Sequence, residues 1–161
     1  MKVFLGLGSN LGNRVEYIER AIEEIGSLKD TKIIKKASLY ETEPWGFKEQ
    51  PDFINSAVEI ETMLSAEELF NEVKSIEQKL KRKSKGKWQE REIDIDILFY
   101  GNEIIKSERI NIPHKEIEKR KFVLIPMYEL APDFVHPVFN ETITELLSKS
   151  GDALVVKKYE N

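Results

Sequence analysis

The chain has 161 residues, of which 40% are hydrophobic and 34% charged, and its formal net charge is −4. These values predict one globular domain over residues 1–161 and disfavour a disordered chain, a membrane protein or a general nucleic-acid binder, which tends to be basic over a whole face. The absence of cysteine excludes disulfides and thiolate metal sites. With no long apolar run and no signal peptide, a cytoplasmic protein is favoured.

The first elements are a strand and a helix. Apolar residues alternate over residues 3–7, which is typical of a strand. A capping box of Asn13 and Glu16 then predicts a helix that ends at Gly26. The glycines between the two elements indicate a tight turn rather than a phosphate loop, because neither the dinucleotide fingerprint nor the Walker spacing is present.

Two further strands, over residues 32–40 and 53–62, are separated by a long loop. Residues 41–52 hold two prolines, a glycine and two large aromatic side chains. This length and composition are typical of a functional loop, although a lid that folds over the core without touching a ligand is the alternative. Phe53 and Asn55 share one face of the later strand. They are either a core residue and a turn residue, or a pair that stacks on a flat heterocycle and hydrogen-bonds its edge.

A second helix and a fourth strand complete a βαββαβ order. Ser65 and Glu68 form the capping box of the helix, and a basic run over residues 79–88 follows it. The strand over residues 93–100 comes next. This order predicts an α+β fold with a ferredoxin-like core, in which two helices pack on one face of a four-stranded antiparallel sheet.

The fourth strand carries two aspartates on one face. Strict alternation places Asp94 and Asp96 opposite Ile93, Ile95, Ile97 and Phe99, with the two aspartate Cα atoms roughly 7 Å apart. The pair is either the solvated face of a half-buried strand or a site for a divalent cation, whose charge would turn carboxylate repulsion into attraction. The basic run would then bind the phosphates that share this cation.

The remaining residues predict a C-terminal extension of helices and one strand. It contains a turn at residues 101–102, a short helix that includes residues 115–121, and a buried, largely helical segment over residues 122–132. A further short helix over residues 142–147 and a strand over residues 154–157 end the chain.

Motifs that run through nearly the whole chain resemble those of the 6-hydroxymethyl-7,8-dihydropterin pyrophosphokinases. Their joint order and spacing carry the resemblance. The motifs are Gly8-Ser9-Asn10-Leu11-Gly12, Tyr40-x-Thr42-x-Pro44-x-Gly46, Gln50-Pro51-Asp52-Phe53-x-Asn55, Ile76-Glu77, Arg82, Trp88-x-x-Arg91-x-Ile93-Asp94-Ile95-Asp96-Ile97, Pro113-His114 and Arg120-x-Phe122-x-Leu124.

The resemblance implies an ATP-dependent diphosphotransferase of folate biosynthesis, in which the pterin hydroxymethyl oxygen attacks the β-phosphorus of ATP and AMP leaves. It implies two Mg²⁺ ions with Asp94 and Asp96 as ligands, and a catalytic set of Arg82, Arg91 and Asp96. The implied pterin-binding residues are Thr42, Pro44, Trp45, Phe53, Asn55, Trp88 and Phe122. The implied ATP-binding residues are Lys74, Glu77, Arg82, Lys85, Arg91, Ile97, His114, Lys115 and Arg120.

The expected partners are therefore ATP and hydroxymethyldihydropterin, with neither nucleic acid nor membrane, and the expected state is a monomer or weak homodimer. The competing hypothesis is a non-catalytic ferredoxin-like module that binds a nucleotide or RNA through residues 79–91. The two aspartates argue against this alternative, because carboxylates beside a nucleic-acid backbone would repel its phosphates.

Overall fold

The structure is a computed structural model that describes residues 1–10, 12–42, 52–81, 93–152 and 155–159. These residues form strands and helices in the following order: β1 (Lys2–Ser9), α1 (Arg14–Gly26), β2 (Thr31–Lys36), β3 (Tyr40–Thr42), β4 (Phe53–Thr62), α2 (Ala66–Lys81), β5 (Asp94–Tyr100), β6 (Ile105–Lys106), β7 (Asn111–Ile112), α3 (Lys121–Leu130), α4 (Ile143–Lys149) and β8 (Val156–Lys158). Among the described helices, none is long and apolar enough to cross a membrane.

One antiparallel sheet organises the chain, as predicted for an α+β fold. Its order is β5-β1-β4-β3-β8. Strand β2 also pairs with β4, over residues 58–62, whereas β3 pairs with residues 53–55 of the same strand. The sheet has six strands rather than the predicted four, because the predicted strand over residues 32–40 is divided and β8 adds an edge. The division has a physical cause: the Ser56 hydroxyl donates to the carbonyls of Ala37 and Ser38, each at 3.1 Å, where the ladder is interrupted.

Hydrophobic clusters cover both faces of the sheet. Val3, Leu5 and Leu7 of β1 are buried with side chains of α1 and α2 on one face. Phe4 and Ala57 are buried with side chains of α3 and α4 on the other. The central strands are therefore enclosed on both faces, as near-continuous apolar runs require.

Both predicted capping boxes for the first two helices lie at helix starts. The Asn13 side chain accepts from the Glu16 N–H at 3.2 Å, and α1 ends at Gly26. Ser65 and Glu68 bond reciprocally at 2.9 and 3.1 Å, just before α2. These local signals located the helix starts correctly.

The prediction for Phe99 was wrong because β5 contains a bulge. Leu5 is opposite Ile97 whereas Phe4 is opposite Phe99, so Leu98 has no partner in register. One extra residue reverses every later side chain on the strand. Ile97 therefore stays in the cluster with α2, and Phe99 moves to the opposite face against the Phe4 ring, 6.3 Å away.

The C-terminal region departs from the predictions in two details. The predicted helix over residues 115–121 is only a 3₁₀ turn at Ile117–Lys119. The strands β6 and β7, which form a separate two-stranded sheet, were not predicted. The predicted helices over residues 122–132 and 142–147 correspond to α3, which contains Pro126, and α4. Of the predicted last strand over residues 154–157, Leu154 lies outside the described ranges and β8 covers residues 156–157.

Candidate active site

The site is a row of residues that crosses three neighbouring strands. Gly8 of β1 lies opposite Asn55 of β4 on one side and opposite Asp94 of β5 on the other. Gly6 lies in the same way opposite Asp96. Directly opposed residues of antiparallel strands project from the same face, so Asn55 and the aspartates share a surface whose floor is glycine.

Gly8 provides the space for the Asn55 carboxamide. A Cβ atom at Gly8 would lie 2.9 Å from Asn55 Oδ1, closer than real Cβ contacts. Asn55 in turn donates from Nδ2 to Thr42 Oγ1 at 3.1 Å, and both side chains are buried. Asn55 is the third residue of β4 and is paired with strands on both sides, which removes the turn-stabilising interpretation of this residue.

Phe53 opens β4, is half-buried, and pairs in register with Thr42. Phe122 is the second residue of α3, and the guanidinium carbon of Arg120 lies 5.9 Å from its ring centroid. Arg120 also forms an ion pair with Glu116 at 3.1 Å. Both phenylalanines are thus partly exposed at the first residues of their elements, where a flat ring is accessible to a ligand.

The aspartate pair fits a magnesium site on the chemistry of its donors. The Asp96 side chain is 48% exposed, and Asp94 is also only partly buried. Within the described ranges, no group of three or more histidine, aspartate or glutamate side chains could hold a metal alone. Mg²⁺ is commonly held by one or two carboxylates together with substrate phosphates, so two aspartates suffice once a triphosphate is bound.

His114 lies beside this pair. Its Nε2 is 3.8 Å from Asp96 Oδ2, and its backbone N–H donates to the Leu98 carbonyl at 2.9 Å. The Nδ1 atom is buried and has no hydrogen-bond partner in the part of the chain that the structure describes. A buried polar atom without a partner is costly, which makes His114 a candidate for contact with a ligand.

Glu77 acts on the strand between the aspartates. Its buried carboxylate accepts the Ile95 N–H at 2.7 Å and pairs with Lys74 Nζ at 3.2 Å. Among the strands that the structure describes, β5 is an edge of the sheet, and none of them pairs with this N–H on its outer side. Glu77 therefore fixes the backbone that carries Asp94 and Asp96.

A cavity of about 200 Å³ adjoins the outer edge of β5. It brings together five predicted site residues, namely Lys74, Asp96, Ile97, His114 and Lys115. A larger cavity of about 520 Å³ lies between α4 and the 3₁₀ turn, and none of the predicted site residues that the structure describes lines it. The smaller cavity is therefore the one that belongs to the candidate site.

Sequence reasoning missed Arg109, which also lines the smaller cavity. Its guanidinium lies 5.3 Å from the Phe70 ring centroid and donates to Asn71 Oδ1 at 2.6 Å. Arg109 was not predicted because it lies between β6 and β7, and these two strands are too short to show periodicity in the sequence. Six predicted site residues lie outside the described residues: Pro44, Trp45, Arg82, Lys85, Trp88 and Arg91.

Comparison with protein families decides the relationship. The model of the 7,8-dihydro-6-hydroxymethylpterin-pyrophosphokinase (HPPK) family matches residues 4–132. The chain belongs to this family. The predicted resemblance is confirmed, and the aspartate pair lies within the part of the chain that the family model matches.

Individual relatives match nearly the whole chain. The 2-amino-4-hydroxy-6-hydroxymethyldihydropteridine pyrophosphokinase of Haemophilus influenzae is 40% identical over 154 residues, which are 96% of this chain and 96% of that protein. The protein with the same name from Aquifex aeolicus is 40% identical over 89% of this chain and 88% of its own length. The folic acid synthesis protein fol1 of Pneumocystis carinii is 43% identical over 93% of this chain, but only 20% of that protein is covered.

Solved HPPK-DHPS structures support the fold. The wild-type Plasmodium falciparum protein with pteroate superposes with a TM-score of 0.71 at 18% identity, covering 92% of this chain and 44% of that one. An HPPK-DHPS in complex with substrates gives a TM-score of 0.69 at 16% identity, covering 91% and 44%. The chain thus spans less than half of these solved proteins.

Proposed function

We propose that pyrophosphate transfer takes place on the face of the sheet that carries Asn55, Gly8 and Asp94. Family membership makes the chain a pyrophosphokinase of folate biosynthesis that uses ATP as co-substrate. The reaction transfers pyrophosphate from ATP to 6-hydroxymethyl-7,8-dihydropterin and releases AMP. The single observation that supports this location is the glycine-floored row, with a polar pair at one end and two carboxylates at the other.

The pterin would lie at the Asn55 end of the row. The Thr42–Asn55 pair offers amide and hydroxyl groups to the polar edge of the ring, while Phe53 and Phe122 offer flat apolar faces. The strands are about 4.8 Å apart, so the backbones of Asn55 and Asp94 are separated by roughly 10 Å. A bicyclic ring with a hydroxymethyl arm can span this distance and direct the arm toward the aspartates.

The triphosphate would lie at the Asp96 end, where Lys74, His114 and Lys115 line the cavity. Asp94 and Asp96 would hold two Mg²⁺ ions, which neutralise phosphate charge and orient the oxygens. The hydroxymethyl oxygen forms a bond to the β-phosphorus, and the bond from that phosphorus to the oxygen of AMP breaks. The protein contributes mainly position and charge to such a transfer.

The remaining site residues stay predictions. Glu77, Ile97 and Arg120 are assigned to ATP, and the residues outside the described ranges keep their predicted roles: Arg82 and Arg91 in catalysis and ATP binding, Lys85 in ATP binding, and Pro44, Trp45 and Trp88 around the pterin. Cytoplasmic location, the absence of nucleic-acid partners and a monomer or weak homodimer also remain predictions from the sequence. The non-catalytic module is not favoured, because the family consists of pyrophosphokinases.

We also propose a ferredoxin-like core and a single domain over residues 1–161. The order β5-β1-β4-β2, with two helices in the connections from β1 to β2 and from β4 to β5, is that of a βαββαβ unit. Strands β3 and β8 are additions to it, and α3 and α4 cover its second face. Both hydrophobic clusters share this one sheet, which favours one domain over two.

The test is a measurement of AMP and pterin pyrophosphate formed from ATP, Mg²⁺ and 6-hydroxymethyl-7,8-dihydropterin. We expect turnover by the wild type and a loss of about a hundredfold or more in Asp96→Ala, as for removal of a main charge-stabilising group. Asp133→Ala is the control, because Asp133 lies away from the candidate site. The next residue, Phe134, packs on Phe4 and Phe99 on the core side of the bulge. Equal turnover by Asp96→Ala and the control would contradict the metal assignment. ATP binding without AMP release by the wild type would favour the non-catalytic module.

A further inference from the structure

A carboxylate of α3 is fastened to the chain that enters β3. Glu129 Oε1 accepts the backbone N–H of Ser38 at 2.9 Å and the Tyr40 hydroxyl at 2.6 Å, and Oε2 accepts the Ser38 hydroxyl at 3.0 Å. Three donors thus engage both carboxylate oxygens. We refer to the Glu129–Tyr40–Ser38 group as the β3 clamp.

The β3 clamp acts directly beside the amide proposed to bind the pterin. Tyr40 is the register partner of Asn55, so the two side chains project from the same face of the sheet. Thr42, which accepts the Asn55 amide, follows two residues later on that face. Any shift of β3 along β4 therefore displaces the Thr42 hydroxyl relative to the Asn55 carboxamide.

Strand β3 is short, and two further side-chain contacts hold it: Arg14 donates to the Glu41 carboxylate at 3.1 Å, and the Ser56 hydroxyl donates to the Ser38 carbonyl at 3.1 Å. The strand contains only three residues, and it is bordered by β4 and the equally short β8. Three residues supply few ladder hydrogen bonds, so side-chain contacts contribute much of the stabilisation that holds such a strand in register. The β3 clamp supplies three of these side-chain hydrogen bonds.

Charge strengthens the β3 clamp at neutral pH. Burial, with the hydrogen bond and charge of Glu129, raises the pKa of Tyr40 to about 12. Burial alone would raise the pKa of Glu129, but hydrogen bonds from Tyr40 and Ser38 and the charge of Lys158 lower it below its usual value. A protonated phenol therefore donates to an ionised carboxylate; such charge-assisted bonds are short, and because Glu129 is exposed, solvent screens part of the strength that the charge adds.

We propose that Tyr40 and Glu129 are positioning residues for the pterin, which hold Thr42 in register with Asn55 without touching the substrate themselves. The proposal rests on the proposed function, in which Thr42 and Asn55 bind the pterin edge. It predicts selectivity between the two substrates, because the nucleotide cavity is built from α2, β5 and the segment after β7 at the opposite edge of the sheet.

The test compares two identical substitutions in the full chain. Tyr40→Phe removes the hydroxyl from the β3 clamp. Tyr100→Phe is the matched control, because the Tyr100 hydroxyl also makes a 2.6 Å bond, to the Leu64 carbonyl, at the far end of β5. We expect Tyr40→Phe to weaken 6-hydroxymethyl-7,8-dihydropterin binding by about tenfold in calorimetric titrations, less than the full value of a bond to a charged group. ATP affinity should change less than about twofold in both variants, against the tenfold scale of one such bond.

A second pair of variants tests the coupling. Glu129→Leu removes all three hydrogen bonds of the β3 clamp, so it should weaken pterin binding at least as much as Tyr40→Phe, and the double variant should be no worse than Glu129→Leu alone. Glu129→Gln keeps an acceptor for Tyr40, so it should restore pterin affinity to within about threefold of the wild type, as expected when a neutral hydrogen bond replaces a charged one. Additive losses in the double variant would overturn the proposal.

The remaining outcomes also separate the proposals. Equal weakening of pterin binding by Tyr40→Phe and Tyr100→Phe, or a lower unfolding free energy with unchanged pterin affinity in both, would reduce the β3 clamp to a purely structural contact. If the wild type binds no pterin, the proposed function fails. The β3 clamp is then judged by the NMR resonances of the Asn55 side-chain amide: a shift in Tyr40→Phe but not in Tyr100→Phe supports it, and no shift overturns it.

Discussion

Substitution of Gly8 by alanine tests the glycine floor of the site directly. Gly8 has no positive φ, so the strand backbone itself accepts alanine. The new Cβ, however, would lie 2.9 Å from Asn55 Oδ1 and 3.9 Å from Phe53 Cδ1. Ordinary contacts begin near 3.4 Å, so the Asn55 carboxamide has to move by about half an ångström.

The magnitude follows from the contacts that this movement breaks. Overpacking of a filled site costs about 1–3 kcal/mol. A displaced carboxamide also strains or loses the buried Asn55–Thr42 hydrogen bond, worth about 1–3 kcal/mol if a group is left unsatisfied. The gain from replacing glycine by alanine in a strand is about 0.5–1 kcal/mol. We expect a net loss of about 1–5 kcal/mol of unfolding free energy, from these terms.

Pterin affinity is the more selective measurement, because the same carboxamide is proposed to bind the ring. We expect Gly8→Ala to weaken 6-hydroxymethyl-7,8-dihydropterin by at least about tenfold, the equivalent of one lost hydrogen bond. Gly6→Ala on the same strand is the control. The three atoms nearest to its Cβ would all belong to the buried Leu98 side chain, at 3.2 to 3.4 Å, so this substitution disturbs the core beside the bulge rather than the Asn55 carboxamide. Urea unfolding and calorimetric titration with pterin and ATP provide the readouts.

Two results would refute this reasoning. Wild-type pterin affinity in Gly8→Ala would mean that the carboxamide does not bind the ring, whatever happens to stability. Equal loss of pterin affinity in Gly6→Ala and Gly8→Ala would mean that the effect arises from the strand as a whole rather than from Asn55.

Two other residues give predictions about stability. Burial lowers the pKa of His136, whose Nδ1 accepts the N–H groups of Val138 and Phe139 at 3.1 and 3.3 Å. Because the pKa of His136 is lower in the folded protein, the unfolded chain binds the proton more readily. The contribution of neutral His136 to the free energy of unfolding is therefore complete above pH 6.5. It falls as the pH drops through the lowered pKa, by at most about 1.4 kcal/mol per pH unit. Urea unfolding from pH 7.5 to 5 should show a smaller loss in His136→Asn, which keeps an acceptor; parallel curves for both proteins would contradict this. Glu77→Leu leaves the Ile95 N–H unsatisfied, and we expect a loss of about 1–3 kcal/mol of unfolding free energy together with a higher Mg²⁺ requirement for turnover. An unchanged Mg²⁺ requirement would limit Glu77 to a structural role.

Local patterns were sufficient for most of the fold. The capping boxes at Asn13 and Ser65 located two helices because a helix start is satisfied by side chains close in sequence. Strand β4 was predicted within its observed bounds, since alternation is also a local signal. The bulge at Leu98 and the interruption near Ser38 were not predictable, because each depends on a partner strand that is distant in sequence.

The candidate site was predictable in its chemistry but not in its arrangement. Two aspartates two residues apart left a divalent-cation site and a solvated strand face as alternatives, and the family resemblance was needed to favour the cation. The location of Asn55 opposite Gly8, and of Asp94 on the other side of that glycine, is a property of the register. Arg109 was missed for the same reason, since its place in the cavity depends on how β6 and β7 lie against β5.

The bulge at Leu98 marks the boundary between the core and the site. Beyond it, Phe99 joins the cluster covered by α3 and α4, and the face is closed to ligands. Before it, Asp96 is half exposed on the same face. The Leu98 side chain fills the space above Gly6, and its carbonyl accepts the backbone N–H of His114. This single extra residue thus places the Phe99 ring in the core and brings His114 beside Asp96. We therefore regard the bulge as the feature that divides β5 into a core half and a half that carries the candidate site.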